Sequence, residues 1–199
     1  MAPVFVDPAK IREFVDADAF YRWLADNHDK ADELWIKIHK VGSGLPSITA
    51  KEAIDVVLCW GWIDGIRKGF DDKSFLQRYT PRGRKSIWSR INVDNVARLI
   101  AEGRMTEHGL AHVAAAKADG RWDAAYASSR TMEMPEDFLL ALGRDTAAAE
   151  FFATLNAANR YAIMFRIVGA KKPETRTRNI EKFVAMLGRG ETLYPNGKA

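Results

Sequence analysis

The sequence lacks the features that mark secreted and membrane proteins. It contains a single cysteine, Cys59, so no disulfide can form within the chain, and a lone thiol is typical of a reducing compartment. No window approaches the roughly 20 apolar residues that span a bilayer. The N-terminal MAPVFVDPAK has no basic start followed by an apolar stretch, as a secretory signal would. We therefore expect a cytoplasmic protein with no membrane span.

The strong catalytic and cofactor motifs are also missing. There is no GxxxxGK[ST], GxGxxG, HExxH, GxSxG or CxxC in the chain. His108 and His112 are four residues apart and would share one helix face, but two ligands fall short of a zinc site. Cys59 is flanked by apolar residues, which raise a thiol pKa and suit a packing role. We expect no metal site, no cofactor and no cysteine nucleophile.

Neither sign of charge dominates, but the charges are unevenly distributed. Thirty basic residues against 26 acidic ones give a net charge of +4. Residues 64–104 carry ten basic and five acidic side chains, and residues 156–190 carry eight and two, so the remainder of the chain is acidic. Two basic blocks of this kind can present a positive face to an anion, or can pack against the acidic elements and neutralise them.

Period-2 patterns predict a small sheet. Residues 34–40 alternate aliphatic and polar or aromatic side chains, as in a half-buried strand. Two short β-prone runs, 62–68 and 74–80, flank the turn-forming Asp71-Asp72-Lys73 and predict a hairpin. With the helices below, the predicted fold class is α+β: a small antiparallel sheet of about three strands covered by helices, followed by an all-helical C-terminal portion.

Helix punctuation is frequent elsewhere in the chain. Asp7-Pro8 and Asp18 begin predicted helices over 8–14 and 18–27, and Thr49 with Glu52 forms a capping box for a helix that runs to about Cys59. Further helix signals begin at Asn92 and Thr106 and end at glycines, and four more follow at 135–142, 146–155, 157–168 and 173–187.

The chain is predicted to contain two domains and a tail. Residues 127–134 lack periodicity and lead into Met134-Pro135, a pair that disfavours helix, so the linker is placed there. The predicted division is an α+β domain over 1–127, a helical domain over 128–190 and a loose tail over 191–199.

The densest cluster of aromatic and basic residues lies in WGWIDG (60–65) and QRYTPRGRKSIWSR (77–90). Guanidinium groups bind phosphate or carboxylate with two parallel hydrogen bonds, and flat aromatic rings can stack on a base or sugar. The same residues could instead form a structural network, with Asp64 holding an arginine and the indoles anchoring the core. The candidate ligand pocket comprises Trp62, Asp64, Arg78, Arg82, Lys85 and Trp88.

A second basic block surrounds the helix start near Pro173. Its cations oppose the helix dipole, so their position requires an explanation. A phosphate-binding helix end and an ordinary solvated face both account for them. The block comprises Lys171, Lys172, Arg176, Arg178 and Lys182.

Five runs of the sequence carry a resemblance to a known family. They are LCWGWIDG (58–65), QRYTPRGRKSIWSRIN (77–92), LIAEGRMTEHGL (99–110), AKADGRW (116–122) and KKPETRTRNIEKFVAML (171–187). Together they resemble the YdeI/OmpD-associated family, also described as bacteriocin-protection proteins. The resemblance covers about residues 20–187. It implies a link to resistance against antimicrobial peptides or envelope stress, and it brings no established catalytic residues.

These observations favour a non-catalytic, cytoplasmic, stress-related protein that binds a small anionic or aromatic ligand in the Trp/Arg pocket. One alternative is an enzyme in which Asp64 acts as acid or base beside arginines that stabilise an oxyanion. Another is a nucleic-acid-binding protein, which would require both basic blocks to lie on one continuous face. Nucleic acid is the less favoured partner.

Overall fold

The structure is a computed structural model that describes residues 4–128 and 131–197. The chain divides into two compact units, Met1–Tyr126 and Ala127–Ala199, here called the N-terminal and C-terminal units. The predicted linker and tail fall partly on residues 129–130 and 198–199, which lie outside the described residues. Among the helices that are described, none combines the length and apolar character needed to cross a membrane.

A four-stranded sheet organises the N-terminal unit. Its spatial order is β1-β2-β4-β3. The strands are β1 (Ile11–Arg12), β2 (Leu34–His39), β3 (Trp62–Gly69) and β4 (Ser74–Pro81). β2 pairs antiparallel with β4, and β4 pairs antiparallel with β3, as predicted from the alternation and the turn.

The α+β class is confirmed, but the sheet has four strands where about three were expected, and it is not purely antiparallel. The extra strand, β1, contains two residues and pairs parallel with β2. Two residues are too short to show any period-2 pattern, so the sequence carried no signal for this strand. The helix expected over 8–14 is wrong, because the chain forms only a 3-10 turn at Pro8–Lys10 before it enters β1.

Four α-helices complete the described part of the N-terminal unit: α1 (Ala17–Asn27), α2 (Ala50–Cys59), α3 (Arg90–Ala101) and α4 (Glu107–Ala118). The capping box of α2 is confirmed, since the Thr49 side chain accepts from Glu52 N and the Glu52 carboxylate accepts from Thr49 N. The α1 cap is Asp16 in place of Asp18, and α3 begins earlier than expected because Ser89 caps it.

Two hydrophobic clusters form the core of this unit. The first lies between one face of the sheet and helices α1 and α2, and it includes Phe20, Ile36, Val56, Trp62 and Tyr79. The second lies among α2, α3 and α4, and it is built on Cys59, Trp88, Val96, Leu99 and Val113. The segment from β4 to α3 passes from the first cluster to the second, and it carries most of the basic motif.

The described part of the C-terminal unit is all-helical, as predicted. Its helices are α5 (Glu136–Leu142), α6 (Thr146–Ala153), α7 (Ala157–Val168) and α8 (Pro173–Gly188). A bidentate ion pair joins Arg176 of α8 to Asp137 of α5, with Nε to Oδ2 at 2.6 Å. The described residues that follow α8 are bonded to α7, since Tyr194 N donates to the buried Asn159 Oδ1 at 3.0 Å.

Candidate functional site

The structure distributes the six predicted pocket residues over different surroundings. Trp62 is 1% exposed in the first core cluster, where its Nε1–H donates to His28 O at 3.1 Å. Arg78 forms an ion pair with Glu33, with Nε and Oε2 2.6 Å apart. Asp64 and Lys85 are exposed. Neither Trp62 nor Arg78 therefore faces a common hollow with the rest of the set.

Arg82 and Trp88 are brought together. The Arg82 guanidinium carbon lies 3.7 Å from the centre of the Trp88 ring, which is close cation–π contact. Trp88 is 2% exposed and Arg82 is 4% exposed, so both are core residues. Arg82 Nη1 donates to Ile87 O at 3.1 Å, but Nε and Nη2 are buried without a hydrogen-bond partner among the described residues.

The charge of Arg82 is therefore incompletely compensated. Burial lowers the pKa of Arg82 to about 10, an effect that the carboxylate of Asp64 opposes and the guanidinium of Arg121 reinforces. The side chain is cationic at neutral pH, because that value still lies well above 7. No carboxylate in the described parts of the chain lies within ion-pair distance of it.

The loop that joins β4 to α3, residues 82–88, is held in place by hydrogen bonds from two arginines. The Arg82 backbone N–H donates to Gly61 O at 3.0 Å, which ties the start of the loop to the residue that precedes β3. The Arg121 side chain donates from Nη1 to Ser86 O at 2.8 Å, close to the point where Arg82 reaches Ile87 O. With its backbone fixed in this way, the loop carries Arg84 and Lys85 outward to solvent.

An open depression of about 280 Å³ lies beside this loop. It is bounded by side chains from the loop, from α4 and from the turn after α4. The lining residues are Arg84, Ala111, His112, Ala115, Asp119 and Arg121. Its volume is just below the range that is usual for small-ligand pockets, roughly 300–1,000 Å³. The depression holds two arginines against one carboxylate, so its lining has a net positive charge.

Arg82 lies next to this depression without lining it. The charges of Arg82 and Arg121 both act on His112, and Arg121 also acts on Arg82, so the three groups are electrostatic neighbours. Arg121 is itself paired with Asp119, with Nε and Oδ2 2.8 Å apart. Arg84 forms no ion pair or hydrogen bond with any described residue, and its guanidinium is free to contact a ligand.

Sequence reasoning missed the part that α4 plays in this site. His112 was considered only as half of a metal pair with His108, and Arg121 was not singled out as a candidate. Arg121 is about 40 residues from Arg82 in the sequence, so no local spacing links the two. Within the described ranges, no group of three or more histidine, cysteine, aspartate or glutamate side chains is arranged to hold a metal ion.

Cys59 is a packing residue, as its apolar neighbours predicted. Its side chain lies in the second core cluster, and burial raises the pKa of the Cys59 thiol to about 11. A thiol with so high a pKa is almost entirely protonated at neutral pH and makes a poor nucleophile.

The second basic block belongs to the C-terminal unit, and one of its five cations is paired. Arg176 forms an ion pair with Asp137 at 2.6 Å. The other four side chains are exposed and do not take part in that ion pair: Lys171, Lys172, Arg178 and Lys182. These four side chains therefore form an exposed, solvated face.

Two family models match the chain, and each matches a different part of it. Residues 12–112, slightly more than half of the chain, match the family described as a domain of unknown function (DUF8412), and the chain belongs to that family. Residues 131–190 match the family described as bacteriocin-protection, YdeI or OmpD-associated. The family that the sequence resembles thus matches within the C-terminal unit. No curated protein and no solved structure gives a significant match.

The matched ranges refine the extent of the resemblance. The WGWIDG and QRYTPRGRKSIWSR motifs fall within the range matched by DUF8412, while the run at 171–187 falls within the YdeI/OmpD-associated match. The depression beside residues 82–88 uses residues from inside the DUF8412 range and three, Ala115, Asp119 and Arg121, from just beyond it.

Proposed function

We propose that the chain is a non-catalytic, cytoplasmic, stress-related binding protein whose N-terminal unit binds a small anionic ligand in the depression beside residues 82–88. The stress-related role follows the family description of the C-terminal unit, which names bacteriocin protection. The cytoplasmic location follows from the single, buried cysteine.

The observation that carries the binding role is the buried, incompletely paired guanidinium of Arg82. A buried charge without a partner costs several kcal/mol unless other groups compensate it. The Trp88 ring offsets part of that cost, since cation–π contacts contribute roughly 0.5–2 kcal/mol. An anion bound in the adjacent depression would compensate more of the Arg82 charge through space. It could do so from the depression, without entering the hydrophobic core.

The depression also offers direct hydrogen bonds to an anion, in addition to a positive electrostatic potential. Arg84 has no hydrogen-bond or ion-pair partner among the described residues, and the Arg121 side chain also lines the depression. Arginine forks bind oxyanions through charge-assisted hydrogen bonds, which are about twice as strong as neutral ones. Asp119 competes with the ligand for Arg121, so an anion must displace or share that ion pair, and a weak to moderate affinity is expected.

An aromatic ligand stacked on the two predicted indoles is not favoured. Trp62 and Trp88 are 1% and 2% exposed, so neither ring offers a face to a ligand. The proposed ligand is therefore an anion that contacts basic side chains of the loop and residues of α4, and not an aromatic group stacked on an indole.

Substitution of Arg84 provides the test. Arg84→Gln removes a charge-assisted contact to the ligand without breaking any ion pair within the protein, so we expect about a tenfold or greater loss of affinity. Binding of sulfate, inorganic phosphate and citrate would be measured by isothermal titration calorimetry on the full chain. A bound anion at a hundred times its dissociation constant also adds about 2.7 kcal/mol to stability, which a thermal-shift assay detects.

Arg22→Gln is the matched control, because Arg22 is an exposed arginine on α1 and the variant has the same net charge as Arg84→Gln. It should bind anions as the unmodified protein does. An equal loss in both variants would mean that net charge alone attracts the anion. Absence of binding by all three anions in the unmodified protein would contradict the proposed function.

A further inference from the structure

The depression presents three nitrogen-bearing side chains from three separate segments. Arg84 comes from the loop before α3, His112 from the middle of α4, and Arg121 from the turn after α4. A carboxylate has two oxygens in one plane and is matched by a single guanidinium fork. A phosphoryl or sulfuryl group has three or more oxygens that point in different directions, and it is matched by donors that converge from several sides.

We propose that His112 is the third donor in a site for a tetrahedral dianion, and that binding of the dianion places a proton on the His112 ring. This inference rests on the proposed anion-binding function and goes further, since it names the class of anion and a proton that binds with it.

The His112 ring is held in position by Gly61. A Cβ built on Gly61 would overlap His112 Cδ2 and would lie 3.1 Å from Nε2 and 3.3 Å from His108 O. Gly61 has a φ of 69°, a left-handed conformation that glycine adopts without strain. The absence of a side chain at residue 61 thus lets the ring pack directly on the backbone at the start of β3, on one wall of the depression.

The ring nitrogens of His112 are not committed to the protein. Neither accepts from nor donates to any described residue. By contrast, His28 Nδ1 is 3.0 Å from Leu24 O, and His39 Nε2 is 3.2 Å from Glu13. His112 is therefore the histidine in the depression that can offer an N–H to a ligand.

The charges around His112 are mostly positive. Arg82 faces it from the end of β4, Arg121 and Arg84 from the walls of the depression, and His108 from one turn earlier on α4. Asp119 supplies the negative charge in the lining, and it is paired with Arg121. His108 in turn packs against His28 from the end of α1, with ring centres 4.0 Å apart.

This environment lowers the pKa of His112 below its usual range, through burial first and then through the charges of Arg82, Arg121 and His108. The free site therefore keeps the ring neutral at pH 7 and above. A dianion bound beside the ring reverses the sign of the local potential, which favours imidazolium. Proton uptake and anion binding then strengthen each other, so anion affinity must rise as the pH falls.

Sulfate is the appropriate probe because it remains a dianion across the pH range in which histidine titrates. Its affinity for the full chain would be measured by calorimetry at pH 8 and pH 5.5 at one ionic strength. We expect binding to be about tenfold tighter at pH 5.5, the equivalent of one charge-assisted hydrogen bond. In His112→Asn the affinity should be independent of pH and close to that of the unmodified protein at pH 8.

His108→Asn is the matched control, since it removes the neighbouring imidazole, which is exposed and does not line the depression. This variant should keep the pH dependence. A proton NMR titration of the histidine Cε1–H signals adds a direct reading: the resonance that is lost in His112→Asn should titrate at higher pH when sulfate is added. Glycerol phosphate, tested alongside sulfate, distinguishes an esterified phosphoryl ligand from a free oxyanion.

The outcomes separate the two proposals. Sulfate binding of equal strength at both pH values, or pH dependence that His112→Asn retains, overturns the inference and leaves the anion-binding function standing. Acetate that binds as tightly as sulfate overturns the assignment to tetrahedral dianions. Absence of binding by sulfate, phosphate and citrate alike at every pH overturns the proposed function itself.

Discussion

Replacing Trp88 by alanine is expected to lower the free energy of unfolding of the N-terminal unit by about 3–5 kcal/mol, the usual range for removal of a buried tryptophan. Trp88 is 2% exposed, contacts the Trp122 ring with centres 4.9 Å apart, and covers the Arg82 guanidinium. The substitution removes the apolar contacts of the second core cluster and the cation–π contact together. Exposure of Arg82 to water recovers part of the loss, and the cavity term outweighs that gain.

Urea denaturation followed by indole fluorescence is the measurement. All six tryptophans lie in residues 1–126, so the signal reports on the N-terminal unit even in the full chain. Ile87→Ala is the control, because Ile87 is the neighbour of Trp88 in sequence and its side chain is 53% exposed. This substitution should change the free energy of unfolding by less than about 0.5 kcal/mol. A Trp88→Ala loss below about 1 kcal/mol would contradict the packing described for this residue.

The second large effect is expected at Gly109, where α4 touches α2 at its closest. A Cβ on Gly109 would overlap the Cys59 carbonyl oxygen and would lie 2.9 Å from Leu58 O. The same Cys59 oxygen accepts from Thr106 Oγ1 at 2.6 Å, so the start of α4 is fixed on the end of α2. Gly109→Ala must push these two backbones apart.

The expected loss for Gly109→Ala is about 1–3 kcal/mol, the usual cost of overpacking a core. The better helix propensity of alanine works in the opposite direction by about 1 kcal/mol in a free helix. The clash is with backbone atoms, which cannot rotate away, so the net effect is destabilising. The same fluorescence assay applies, with Ala114→Ser on the exposed side of α4 as control. A stabilised Gly109→Ala variant would show that α2 and α4 are not in close contact.

Local sequence signals accounted for much of the fold. The capping box at Thr49 and Glu52, the Thr106 cap and the turn at residues 71–73 were all predicted correctly, because each depends on side chains within a few residues of one another. Strand β1 was missed since its two residues pair with β2 residues that lie 24 positions further along the chain. Tertiary pairing of this kind leaves no local pattern.

Local signals say less about the candidate site, for a related physical reason. The basic run at 77–90 contains the buried Arg82 and the exposed Arg84. The sequence left two roles open for Trp62 and Trp88, ligand contact or core anchoring, and the structure buries both indoles in the two core clusters. The partners of Arg84 come from α4 and the turn after it, and only the folded chain brings them to the loop.

The role of Arg82 in this account is electrostatic. It is not among the lining residues, and its charge acts on His112 in the lining while Trp88 and Ile87 O hold it in place. A low-dielectric setting strengthens such an interaction relative to one at the protein surface. The buried charge of Arg82 adds to the positive potential at the depression. This addition explains how a depression lined by only two arginines can attract an anion despite the nearby carboxylate of Asp119.

The proposed anion site can be observed by anomalous diffraction from crystals soaked in sodium selenate at pH 5.5. Selenate has the shape and charge of sulfate, and its selenium atom gives a signal that cannot be mistaken for water. We expect an anomalous peak in the depression, within hydrogen-bond distance of the Arg84 and Arg121 guanidinium groups and the His112 ring. Selenate peaks elsewhere on the protein with none in this depression would contradict it.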